Sequence, residues 1–492
     1  MKKTIVLIFT VVFAYTAFAQ TGFELSFGEE NTDDRVINTF EVDGYYISSG
    51  KKYNPTTGDE SKPNFYKISP NGEIITHVEY YKQDTGTNIR FGFQKPNGNL
   101  MFFGNSFPST ELPQVRHIHV LELSMNLELI WDKIDSLPST IPFIRHHIKN
   151  HLITIDNEII IQGVMDTATP GTGRTTNLCI YKYDISGNMI HFQIYPGWDD
   201  HMEGSDMLFN ADSSGFYLFG DLSLHSVVKD WAYFDLDLNL IGSGVLQNDQ
   251  GFYFPPLTIK RLSNGNILMT NYLYEIDQYN IRGFEMRIYD TDFNLLNSQL
   301  TYNEHQVYIP VNRGMGFIDE DNIWVAAFVA IPPTGFVGRE DINFYVFDSK
   351  LNMKGSFTYK GDLRYWLYDL LVCSDGGCLV SGEVPEYEGS EMTNNFILKV
   401  AFDDVVTSTI NLLHPDQRIA IHPIPAKDQL TLKGVPESSV LLLYTPTGQL
   451  AASFRLEKGV NQLEIGYLPS GMYFATILQN QQLIQTSKII KQ

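Results

Sequence analysis

A short unit, made of a tight turn, an apolar run and a small residue, recurs seven times along the chain and constrains the fold more than any other feature. The copies read VDGYYISSG, PNGNLMFFG, IDNEIIIQG, DSSGFYLFG, SNGNILMTN, DEDNIWVAA and SDGGCLVSG. Their anchors are Gly44, Gly98, Asn157, Gly215, Gly265, Asn322 and Gly376, separated by 50 to 59 residues. A second column runs out of phase with the first, with aligned positions Ser69, Ser124, Asp184, Asp235, Asp290, Asp348 and Ala401. Two columns that agree in number and order make this a seven-repeat chain.

Each repeat reads strand, tight turn, strand, long loop, strand, tight turn, strand. In the first copy the strands fall at 35–42, 45–49, 65–69 and 73–81, with turns at Asp43-Gly44 and Asn71-Gly72. Runs of Tyr, Phe, Ile and Val joined by Asn-Gly or Asp-Gly are hairpin chemistry, and no long helical period interrupts them. Seven units of four antiparallel strands predict an all-β fold, a seven-bladed β-propeller over residues 20–410. A parallel β-helix has shorter coils, and the Gly-His…Trp-Asp signature of WD40 repeats does not occur. The last repeat has a weak fourth strand, and residues 22–27 precede the first repeat. That N-terminal segment is expected to close the ring, or to lie beside residues 405–410. The Asp of the second column reads as a turn initiator, bonding to backbone two residues on. The repeat resembles the loosely defined seven-bladed propellers of exported bacterial proteins, most clearly in SDGGCLVSG with FILKV and in YKYDISGN. That resemblance implies a scaffold and no activity.

The first 19 residues predict export. Lys2 and Lys3 form a positive start, residues 5–13 are apolar, and Ala17-Phe18-Ala19 is a cleavage site before Gln20. No Cys follows it, and no other run approaches the roughly 18 apolar residues of a membrane helix. The composition is 43% hydrophobic and 19% charged, too apolar for a disordered chain. The net charge of −22 argues against nucleic acid and anionic membranes as partners. A monomer is expected. Of three cysteines, Cys373 and Cys378 flank a hairpin loop and reach disulfide distance if they are in register. Cys179 reads as a buried thiol.

Residues 411–492 differ in composition. They hold seven basic and five acidic residues, so the acidity lies upstream. Short apolar runs with turns around Gly448 and Gly471 predict a small β-sandwich, immunoglobulin-like in kind. Three ordered motifs stand here: Pro423, Pro425 and Asp428; Tyr444 and Gly448; Leu468, Gly471 and Tyr473, followed by Lys488 and Lys491. This segment closely resembles the C-terminal sorting domain of the type IX (Por) secretion system. The family's usual Pro-Asn-Pro is here Pro423-Ile424-Pro425. The resemblance implies contact with the secretion machinery, transit of the outer membrane, then removal of the domain with release or surface attachment. It makes none of these residues catalytic.

Motifs for chemistry are sparse. Zinc spacings, a phosphate loop, a nucleophile elbow and an EF-hand do not occur, and no metal or cofactor is expected. His117 and His119 share a strand face, but no third ligand is fixed, and they read as a solvated or hydrogen-bonded pair. His146, His147 and His151 read the same way. The run from Asp235 through Asp237 to Asn239 lacks the Gly and Glu of a calcium loop and reads as a turn. The densest cluster, residues 197–206, places Trp198, Asp199, Asp200, His201 and Glu203 in one inter-blade loop. It offers paired carboxylates, or simply an acidic solvated loop.

Two functions remain open. The first is an exported binding module for a glycan or protein; the second is an extracellular glycan hydrolase or lyase using loop carboxylates. The second and fourth connections of each repeat share one face, and the second connections are long, so a site is expected there. The candidate ligand-binding residues ringing the channel mouth are Arg90, His147, Trp198, Asp200, Glu203, Tyr253, His305, Tyr308, Arg364 and Trp366. Aromatic planes with carboxylates and Arg suit a sugar or a peptide.

Overall fold

The computed structural model describes residues 22–54, 61–80, 85–108, 117–135, 143–169, 173–195, 198–200, 206–224, 227–246, 256–275, 280–302, 307–330, 339–360, 363–387, 390, 392–406, 419–422, 426–437, 439–445, 450–479 and 482–492. The signal segment therefore lies outside the described residues.

Seven antiparallel sheets follow one another along the chain. Blade 1 runs Asp33–Val42, Tyr45–Tyr53, Lys62–Ile68 and Ile74–Glu79 from its innermost strand outward. The innermost strands of blades 2 to 7 are Thr85–Gln94, Phe143–Ile153, Asp206–Phe209, Pro256–Arg261, Val307–Gly316 and Trp366–Val372. Each touches the next, and the last touches the first, so the ring is closed. Blade 7 takes its fourth strand from the N-terminus: Phe23–Phe27 pairs with Thr393–Val400, from Phe23 opposite Lys399 to Phe27 opposite Asn395. Val405 lies instead in a short helix, Phe402–Val406. This is a seven-bladed β-propeller whose two ends share one sheet.

Every seam between blades has its own apolar core, because both faces of a blade are covered by neighbours. Phe91 and Phe103 of blade 2 meet Tyr181 and Tyr183 of blade 3, and Phe284 of blade 5 meets Tyr345 of blade 6. Val36 and Tyr46 of blade 1 meet Leu379 and Ile397 of blade 7. Strands covered on both faces lose the alternation of a half-buried sheet, as Cys378–Pro385 shows by being buried at every position. Burying a Phe or Leu side chain stabilises by roughly 1.5–3 kcal/mol. Seven such seams therefore carry most of the fold.

The repeat's glycine has a steric cause. Innermost strands carry a β-bulge in the same place: residue 37 is skipped between Val36 opposite Gly50 and Asn38 opposite Ser49. Residue 368 is skipped likewise beside Leu367 opposite Gly382. A Cβ on Gly50 would sit 1.7 Å from the Arg35 carbonyl oxygen, and one on Gly382 1.9 Å from that of Trp366. In blades 1 and 7 the bulge folds the inner strand so closely onto the second strand that only glycine fits beneath it, whereas blades 5 and 6 carry Asn271 and Ala327 at the corresponding register position.

The second column is turn chemistry. Asp184 Oδ1 accepts the backbone N–H of Ser186 (2.9 Å) and of Asn188 (2.8 Å). Asp290 and Asp348 repeat the pattern, and Asp235 accepts from Asn239 at 2.7 Å.

The expected disulfide is not formed. Cys179, Cys373 and Cys378 are buried free thiols. The hairpin uses a three-residue loop with Gly376 at φ 87° as a bulge, so Cys373 bonds Gly377 and Cys378 lies opposite Val372. A slip of one residue turns side chains to opposite faces. Cys373 accordingly packs in the core shared with blade 1, and Cys378 in the core shared with blade 6.

Beyond 407–418, outside the described residues, two small sheets form a sandwich. One holds Ala420–His422, Gln429–Val435 and Gly459–Glu464; the other orders Leu450–Leu456, Ser439–Tyr444, Gly471–Gln479 and Gln482–Lys491. Leu430, Leu432, Leu441, Leu443, Ala475 and Ile477 fill the space between them.

Candidate functional site

Antiparallel order places the second and fourth connections of every blade on one face, and the first and third on the other. The structure sorts the anticipated residues accordingly. Arg90 is the bulged residue of blade 2, half-buried, between Ile89 and Phe91. His147 is half-buried in the innermost strand of blade 3. Trp198 and Asp200 lie not in a loop but in a short strand pairing with 222–224 of blade 4. Tyr308 is in the innermost strand of blade 6. Arg364 is exposed just before blade 7, and Trp366 opens its innermost strand opposite Glu383. Glu203, Tyr253 and His305 lie outside the described residues. So far as they are described, these residues are spread over several blades, and they adjoin one another only within two pairs, Trp198 with Asp200 and Arg364 with Trp366.

Buried polar groups of the innermost strands tie neighbouring blades together. Asp206 of blade 4 accepts from Asn150 Nδ2 of blade 3 (3.2 Å) and from the Ile259 N–H of blade 5 (2.8 Å). Asp369 of blade 7 accepts from Asn38 Nδ2 and from the Thr39 N–H of blade 1. His151 stacks on Phe91 with ring centroids 3.9 Å apart. Burial, then the charges of Arg313 and Lys260, push its pKa down to about 3. His119 is buried, held by Thr87 Oγ1 at 3.1 Å and by Asp132 at 3.4 Å, a hydrogen-bonded histidine as its sequence context suggests. Among the described residues no three His, Cys, Asp or Glu side chains group as metal ligands.

The densest charge lies at the seam of blades 7 and 1. Arg35 Nε sits 2.7 Å from Glu383 Oε2, and its Nη2 2.9 Å from Asp33. Thr393 Oγ1 donates to Asp33 Oδ1 at 2.5 Å and lies 2.9 Å from Glu383 Oε2. Lys51 Nζ is 3.5 Å from Asp33, and the Tyr368 hydroxyl donates to Glu383 Oε1. Burial raises the Glu383 carboxyl despite Arg35. Burial would raise Asp33 too, but hydrogen bonds from Arg35 and Thr393 hold it below its usual range. Lys51 is lowered by burial and by the Arg35 charge.

Beside this network, on the long-loop face, a cleft of about 740 Å³ opens between residues 28–31 and the second connection of blade 7. Glu30, Asn31, Glu386, Tyr387, Ser390 and Asn394 line it. Tyr387 is 65% exposed, and Glu386 accepts the Asn31 N–H at 2.9 Å. A smaller cleft of about 350 Å³, lined by Gln94, Lys95 and Ile185 among others, lies on the tight-turn face.

The sequence reading passed over Arg35, Lys51, Tyr368, Glu383 and Tyr387. One signal was available: Glu383 is a carboxylate inside an otherwise apolar strand, where an acid survives only with partners.

Known structures match this chain at low sequence identity. A polysaccharide lyase, Uly1, is 10% identical over 74% of this chain and 89% of that one, with a TM-score of 0.45. A PL25 ulvan lyase is 7% identical over 78% and 100%, also at 0.45. PorZ of Porphyromonas gingivalis, a surface component of the type IX secretion system, is 8% identical over 93% and 86%, at 0.24. No curated protein matches the sequence. Among the described residues no helix is long and apolar enough to cross a membrane. Residues 420–492, the sandwich built above, match the family described as the secretion system C-terminal sorting domain, so this β-propeller is a cargo of type IX secretion, exported to the cell surface or beyond it.

Proposed function

We propose that the exported propeller is a binding module whose ligand, a glycan, occupies the blade 7 and blade 1 cleft of the long-loop face. One observation carries this reading: a polar cleft with an exposed Tyr387 plane beside carboxylates and amides. Sugars present apolar faces for stacking and hydroxyls for pairing, and such a lining answers both. Arg364 and Trp366 stand at the start of the blade whose long connection forms one wall. In a panel of purified polysaccharides, Tyr387→Ala and Asn394→Ala should each weaken binding at least tenfold with Tm unchanged. Substituting Gln94 on the opposite face should leave binding intact. Equal loss from both faces would refute the placement.

The enzyme reading, a hydrolase or lyase, has one specific support, the raised carboxyl of Glu383. Its two oxygens already take Tyr368, Thr393 and Arg35, which leaves it badly placed to exchange a proton with substrate. Product release in the same panel, lost in Glu383→Gln, would favour that reading instead.

A further inference from the structure

The four-stranded sheet of the sorting domain has an apolar inner face and an apolar patch at one end of its outer face, with Ser453, Thr476 and Arg455 on the outer positions beyond it. Its inward residues, such as Leu441, Leu443, Ala475 and Ile477, fill the sandwich core. The alternate residues point outward, and register aligns them into rungs: Leu450, Tyr444 and Phe474 form one, and Met472 with Ile490 the next. Leu450 is 51% exposed in the intact chain, Ile490 41%, Phe474 39% and Met472 37%. A sandwich that ended at this sheet would carry polar residues on these positions, as half-buried strands do. The strand Ser439–Tyr444, reading SVLLLY, instead has the composition of a strand covered on both sides. Two basic residues take outward register positions, exposed Arg455 opposite Val440 and Lys488 opposite Phe474, and no carboxylate is among the described outward positions.

We propose that this outer face is the docking surface of the sorting domain, and that its occupant is a protein of the secretion machinery presenting an apolar surface with an acidic edge. The proposal rests on the sorting assignment of residues 420–492 and adds which side of the domain is read. The basic residues of the face select an acidic edge, and exposed aromatic and Met side chains are the composition of an interface core. The occupant covers the Phe474 and Tyr444 rung first, because the bulkiest exposed side chains stand there.

The test follows the full-length chain in a bacterium with the type IX apparatus. Phe474→Thr combined with Met472→Thr should reduce the exported fraction at least tenfold, leaving folded chain inside the envelope with its Tm within a few degrees of wild type. Arg455→Glu, at an exposed position that cannot unfold the core, should reduce export several-fold, and Val460→Thr, exposed on the other sheet, should not. Wild-type export of the folded double variant, or equal loss with Val460→Thr, would overturn the proposal. So would a dimer of the purified chain that the double variant dissociates, since the occupant would then be a second copy. Deleting residues 420–492 sets the reference: export that survives deletion would remove the sorting reading itself, whereas export lost on deletion but kept in the face variants would refute only the face.

Discussion

The Arg313 guanidinium reaches across the propeller's centre: its Nη2, on the innermost strand of blade 6, donates to Asn150 Oδ1 of blade 3 at 2.9 Å and to the Lys149 carbonyl at 2.6 Å. Blades 4 and 5 separate the two strands along the chain, so the bond braces opposite sides of the ring. Arg313 holds a φ of 55°, a region that costs a residue with a side chain about 1–3 kcal/mol.

Two substitutions separate the bond from the strain. Arg313→Ala removes the brace and keeps the unfavourable φ, and should cost about 2 kcal/mol of stability in urea unfolding. Arg313→Gly removes the brace but relieves the backbone, and should be about 1 kcal/mol more stable than the Ala variant. Equal stability of the two would remove the strain argument.

The repeat glycines predict a contrast of the same kind. Gly382→Ala forces a Cβ against a backbone carbonyl that cannot swing aside, and should destabilise by about 1–3 kcal/mol or more. Gly242→Ala, on an outer strand where a new Cβ meets nothing within 4 Å, should be close to neutral. Thermal unfolding of the two variants side by side decides it.

His151 predicts an acid-sensitive term. Its pKa is about 3 in the folded chain, against an ordinary value near 6.5 when unfolded. The unfolded chain therefore binds a proton that the folded chain refuses, so stability falls as pH drops from about 6.5 toward 3. The slope is at most about 1.4 kcal/mol per pH unit from this group. His151→Phe, which preserves the stack on Phe91, should flatten that part of the stability profile and leave stability at pH 8 nearly unchanged. A profile identical to wild type between pH 4 and 6 would show that the ring is not held neutral.

The scaffold was legible in the sequence because its grammar is local. Asn-Gly and Asp-Gly turns, Asp184 and its counterparts, and the repeat glycines each act within a few residues of themselves. What stayed hidden depends on contacts hundreds of residues apart. Arg35 and Glu383 meet only because the ring brings blade 7 against blade 1, and Arg313 meets Asn150 only across a finished ring. The disulfide expectation failed on a single residue: counting the loop from Ser374 to Gly377 as four residues missed the bulge at Gly376 that shifts the register. Hairpin spacing alone does not reveal a bulge.

The last prediction separates a clasp from a catalytic group at the blade 7 and blade 1 seam. Glu383 is buried and pairs with Arg35, while the Tyr368 hydroxyl donates to its other oxygen and Thr393 Oγ1, which donates to Asp33, lies beside it. Arg35 is about a third exposed and keeps Asp33 when Glu383 is removed, so the loss falls below the roughly 3–5 kcal/mol of a fully buried pair. Glu383→Ala should therefore lower stability by about 1–3 kcal/mol and open the ring where its two ends meet, seen as faster proteolysis at the N-terminal strand 23–27. Glu383→Gln keeps the shape and can still accept from Arg35, so it should lose less than half as much. Glycan affinity measured below the melting range should survive in Glu383→Gln, since the cleft is lined by Glu386, Tyr387 and Asn394 rather than by this carboxyl. A Gln variant that is fully stable yet cannot bind would show that Glu383 acts on the ligand and that its place in the seam is incidental.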